Sequence, residues 1–214
     1  TLSKSVSGAG LTTITGNTTN SAGINQGVKV NSGITLTNNA ALGSASGSVT
    51  NAGTINSSAD NIKGTVSNTG SLNLSGGTLS KAVSGSGKTT ITGNTTNSGG
   101  INQGVTVNSG VTLTNNAALG SDSGTITNSG TITSNAGNIK GTVTNNNTLN
   151  LSGGTLSKAV SGSGTTNITG AVTSNSAISQ AINVVAAGDL TINANNIGGA
   201  VTNAGDLILT GGTL

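Results

Sequence analysis

The string Thr-Leu-Ser-Lys begins at Thr1, Thr78 and Thr155, and the closing Gly-Gly-Thr-Leu brings Thr213 into the same phase. Two copies of equal length, 1–77 and 78–154, are therefore followed by a shorter one, 155–212. The first two copies agree almost residue for residue, as in the segments starting at Thr12 and Thr89 or at Thr37 and Thr114. A chain that is self-similar at a fixed period is an array of one structural unit, and the missing piece measures that unit. Each long copy reads as four units of about 19 residues and the short copy as three, so the third copy has lost a whole unit. A solenoid tolerates that edit because each coil touches only the coils above and below it.

The branched aliphatic residues fall on three tracks. One runs Val6, Val30, Val49, Val66 and resumes at Val83; another runs Ile14, Leu36, Ile55, Leu72; the third runs Leu2, Ile24, Leu42, Ile62, Leu79. Three tracks per unit predict three short strands per coil around a narrow core. The expected fold is thus an all-β parallel β-helix, or β-solenoid, of about 11 turns. Alternation in Val105-Thr106-Val107 and Thr112-Leu113-Thr114 marks half-buried strands. The Gly, Asn, Ser and Thr background disfavours helix. Triplets such as Asn31-Ser32-Gly33, Asn51-Ala52-Gly53 and Asn128-Ser129-Gly130 are read as corners, where Gly and Asn accept positive φ. At about 4.8 Å per strand such a rod is roughly 50 Å long, and Asn and Thr in register can form ladders up the stack.

Composition narrows the function. The chain has 36 Gly and no Cys, His, Met, Pro or aromatic residue, and its charges are seven Lys and four Asp. Few side chains remain that do acid–base, nucleophilic or metal chemistry, so no catalytic, cofactor-binding or metal-ligating residue is expected and the protein is read as not an enzyme. Nucleic-acid binding calls for clustered basic residues with aromatic platforms, which excludes that partner. No apolar run approaches the roughly 18 residues of a membrane helix, so direct membrane insertion of this segment is not expected. The absence of Cys fits an extracellular protein that does not depend on oxidative folding. The chain starts and stops in mid-repeat without a signal peptide or polar cap, which reads as a slice of a longer protein or a unit that stacks end to end.

Most surface features have ordinary explanations. Lys4, Lys81 and Lys158 recur with the long period, as do Lys63 and Lys140, and each set is expected along one edge as solvated charge. Asp60, Asp122, Asp189 and Asp206 are too scattered for a calcium site or an acid–base pair. The Gly-rich strings at Gly85 and Ser161 lack phosphate-loop spacing and read as corners. The sequons at Asn17 and Asn94 are expected by chance in a chain this rich in Asn and Thr. The most specific feature is a set of outward Thr pairs on the second track: Thr13/Thr15, Thr35/Thr37, Thr90/Thr92, Thr112/Thr114 and Thr131/Thr133. A flat Thr-X-Thr array is a candidate ice-binding surface, although Ser71-Leu72-Asn73 and Asp189-Leu190-Thr191 interrupt it.

Short units carrying Val49-Thr50-Asn51-Ala52-Gly53-Thr54-Ile55 and its counterparts at Ile126 and Val201, on a Cys-free background, resemble bacterial type V secretion passengers. These are the autotransporter and filamentous-haemagglutinin-like adhesins. The resemblance implies a right-handed coil, an extracellular or cell-surface location, and a stalk or passenger role in adhesion or biofilm. It implies partners on a host or neighbouring cell surface, glycans or like chains. Self-association into a filament is the alternative that the uncapped ends suggest.

Overall fold

The computed structural model describes residues 1–213 and consists of 25 short strands and three single 3-10 turns. The strands pair in parallel, most of them with both the strand one coil below and the strand one coil above. The chain is a β-solenoid of three faces. Alternation sets the local structure: in Ile101–Val107 the residues Ile101, Gln103, Val105 and Val107 point inward and are buried, while Asn102 is exposed. Leu36, Ile55, Leu72, Leu113 and Ile132 are buried with no accessible surface.

The third face shows the length of a turn. Its hydrogen-bonded partners run Thr18, Leu36, Ile55, Leu72, Thr89, Val105, Ile126, Val143, Val160, Ile178, Ile197. The ten steps of this column vary, and their mean matches the separation of 18 between the stacked amides of Asn97 and Asn115 rather than the expected 19. A long copy is therefore four turns and one third. Val6 stands under Ile24 on the first face, its equivalent Val83 between Val66 and Ile101 on the second, and Val160 between Val143 and Ile178 on the third. Each copy begins one face further round.

The aliphatic tracks hid the extra face because its first two examples are polar. Thr18–Asn20 and Thr95–Asn97 are strands whose inward side chains are Thr and Asn; only in copy three is an aliphatic residue, Val172, found there. Three uncounted faces make one turn, so the solenoid has about 12 turns where 11 were expected. The short copy keeps the same remainder, three turns and one third.

Corners are tighter than positive φ requires. Gly33 and Gly110 do adopt φ of 74° each, but Gly53, Gly70 and Gly130 do not, and no residue other than glycine has positive φ among those described. Gly70 is needed for another reason: a Cβ there would overlap the carbonyl oxygen of Gly53 in the coil below, and one on Gly53 would overlap that of Ile34. In the triplets that end at Gly53, Gly70 and Gly130 the opening Asn turns inward and is buried. Asn51 Nδ2 donates to Asn68 Oδ1 at 2.7 Å and Asn128 Nδ2 to Asn145 Oδ1 at 2.7 Å, while Asn20 donates to Asn38 at 2.6 Å and Asn97 to Asn115 at 2.7 Å. These buried amides satisfy one another and the corner N–H groups, as Asn51 Oδ1 does for Gly53 N at 3.1 Å.

Stacking of this kind can be tested by removing a coil. Asn115 and Ser134 are direct neighbours across one coil. Deleting residues 116–134 removes one turn and recreates the junction that copy three has at Asn193-Ala194. The shortened chain should fold with an unchanged β-rich circular dichroism spectrum and one cooperative melt, whereas removing only half of that segment should abolish folding. The buried polar pairs give a second test. Buried Gln103 donates at 2.7 Å to buried Thr89, which interrupts the aliphatic column between Leu72 and Val105. Thr89→Val alone strips Gln103 of that partner and should cost about 1–3 kcal/mol. In denaturant unfolding, the double change Thr89→Val with Gln103→Leu should recover most of the loss.

Candidate functional site

Because equivalent residues rotate by one face per copy, the Thr pairs do not share a face. Thr13 pairs with Lys29 on the second face, and Thr15 lies just past that strand. Thr35 and Thr37 sit on the third face beside Thr54 and Asn56, and Thr90 lies higher on it between Asn73 and Thr106, with Thr92 beyond the strand end. Thr112 and Thr114 lie on the first face directly below Thr131 and Thr133. Only these last two pairs stack on one another. Above them come Thr148 with Asn150 and Thr165 with Asn167, and the outward amides take over as a ladder: Asn150 donates to Thr133 at 3.2 Å, Asn167 to Asn150 at 2.8 Å and Asn183 to Asn167 at 3.1 Å.

The lysines are redistributed in the same way. Lys4 follows the third face, Lys81 the first and Lys158 the second, so the set lies on three edges and not one. Lys158 Nζ donates to Asp122 Oδ1 across two coils, an ion pair that the long period does not reveal because the equivalent of Asp122 in copy one is Ala45. Asp60 and the sequon residues Asn17 and Asn94 have a local task. Their Oδ1 atoms accept from the backbone N–H one coil on, at Thr78, Thr35 and Thr112, each at 2.9 Å. The Gly-rich string at Gly85 is the corner at which strand Val83–Ile91 shifts register between Ser84 and Lys88, as expected of a corner.

One concavity stands out. At the end of the third face in copy one, a groove of about 510 Å³ runs along the rod axis over four coils. Thr37, Asn56 and Asn73 form one wall in register, and Asn39, Ser58 and Ser75 form the other. All its lining residues are uncharged Thr, Asn or Ser. Asn73 Nδ2 donates to Asn56 Oδ1 at 2.7 Å, and Ser58 Oγ to the Gly76 carbonyl at 3.2 Å. Among the described residues no protein partner takes the Asn56 amide N–H₂, the Asn73 Oδ1, or the side chains of Asn39 and Ser75. Reading aliphatic tracks passes over these positions; their sequence signal is a polar residue one and three places after each second-track aliphatic, recurring once per coil.

Two other features bear on chemistry. No group of three or more His, Cys, Asp or Glu is placed to hold a metal among the described residues. No helix among them is long and apolar enough to cross a membrane, which says nothing of strands. No family model, curated protein or solved structure compared with this chain matches it.

The Asp122–Lys158 pair gives a pH prediction. The hydrogen bond from Lys158, and then its charge, hold the Asp122 carboxyl below the usual aspartate range. A group depressed on folding adds stability above its unfolded pKa and loses it as pH falls through the folded one. Here the pair is surface-exposed, with the Asp122 side chain 91% accessible, and solvent screening leaves little energy in it. A carbon-detected NMR titration should place the Asp122 midpoint below the usual aspartate range. Lys158→Met should bring it back toward that range while leaving the melting temperature in place.

Proposed function

We propose that this chain is a non-catalytic stalk of a bacterial surface or secreted protein, acting in adhesion or biofilm. The observation that supports it most is the unbroken stack: about 12 turns at roughly 4.8 Å each make a rod about 60 Å long whose surface repeats rather than converging on one reactive cluster. Its sides are Thr, Asn and Ser with few charges, which suits reach and weak polar contact better than chemistry. An extracellular location agrees with a fold that uses no cysteine.

The test is surface display. Fused to an outer-membrane anchor on a non-adherent bacterium, the chain should raise attachment to epithelial cells or to neighbouring bacteria above that of an unrelated rod of equal length. Equal attachment by both rods would sink the adhesive role.

A second reading is a filament subunit, in which the parallel ladder that joins coil to coil within the chain would also join chain to chain. Electron microscopy of the purified chain decides: long uniform fibres support the filament, and short rods support the stalk.

A further inference from the structure

The geometry points to the third-face groove of copy one as a binding site for a neutral, extended polysaccharide chain. The proposal rests on the adhesive reading above and names the chemistry that the rod meets.

Three observations carry it. First, the groove runs parallel to the rod axis, so its walls offer a hydroxyl or amide at every coil, spaced by the strand separation of about 4.8 Å. That step is close to the length of one hexose unit in an extended β-linked chain, so successive coils address successive sugars. A ligand without such a repeat would meet the first coil and miss the rest.

Second, the groove's polar groups are both donors and acceptors. Asn56 presents an open N–H₂ at the lower end of its amide pair and Asn73 an open Oδ1 at the upper end. Asn39 and Ser75 face them with donor and acceptor capacity of their own. Vicinal hydroxyls, each donor and acceptor at once, are the natural complement of that mixture.

Third, no Lys or Asp lines the groove, so nothing in it selects for a charge through a direct ion pair, and desolvating a carboxylate there would go uncompensated. The equivalent position in copy two is closed by comparison. There Asn150 donates to Thr133 and accepts from Asn167, so both ends of its amide are already engaged. One site per chain is expected.

No aromatic ring is available for a sugar to stack on, so affinity per site rests on hydrogen bonds exchanged with water and falls in the millimolar range. The experiment is therefore NMR of the intact, nitrogen-labelled chain titrated with cellopentaose, with pentagalacturonate as the charged counterpart. Cellopentaose should shift the side-chain amide signals of Asn39, Asn56 and Asn73 and leave that of Asn150 in place. The paired change Asn56→Ala with Asn73→Ala should weaken binding about tenfold or more, with a melt showing that the rod still folds. Asn150→Ala, a fold control on the neighbouring face, should bind as the parent does. Shifts spread evenly over all faces, no shifts at millimolar ligand, or tighter binding of the uronate would each overturn the proposal. The readout does not depend on cells. A rod that holds the oligosaccharide but fails the display assay would remove the adhesive role and leave the site standing.

Discussion

Everything in this molecule follows from the requirement that each coil lie flat on the one below at the spacing of a parallel hydrogen-bond ladder. At that distance a backbone carbonyl of one coil reaches the corner of the next, and a single Cβ at Gly53 or Gly70 has nowhere to go. Those corners are glycine for that reason more than for backbone freedom. The same closeness brings Asn51 against Asn68 of the next coil, so amides that would be costly to bury singly become one another's partners. The core, three strands wide, is filled by aliphatics and amides, and the chain has no aromatic residue.

The solenoid was legible in the sequence because its evidence is arithmetic: a long repeat, a deletion of one unit within it, and aliphatic residues at steady steps. The size of the turn was not, because counting aliphatics assumes that every face has one. Thr18–Asn20 and Thr95–Asn97 break that assumption by burying Thr and Asn, and the unusually long first step on each track, Val6 to Val30, Ile14 to Leu36 and Leu2 to Ile24, is the trace they leave. The length of the turn decides where every surface residue stands. Thr pairs and lysines that share a phase in sequence stand on different faces, since phase and azimuth coincide only when a copy is a whole number of turns. The three glutamines, Gln26, Gln103 and Gln180, were equally silent; each is buried against a Thr one coil earlier, and their only signal was rarity at the long period.

The groove belongs to the same lesson. Pattern reading sorts positions into inward aliphatic and outward polar, and a site made entirely of outward polar residues looks like ordinary surface until the coils are stacked. Asn56 and Asn73 are a full coil apart in the chain and one hydrogen bond apart in the rod. What distinguishes them from the amides of copy two is not residue type but whether the next coil offers a further amide, as Asn167 does for Asn150.

The fractional turn also divides two kinds of change that duplication and loss can make to such a gene. Dropping a single coil, as copy three has done, shortens the rod while everything beyond it keeps its compass bearing. Dropping or adding a whole copy alters length and swings the distal part by a third of a revolution. Reach and aim are thus separately adjustable, and three successive copies point in three directions, so a rod of this design has no back.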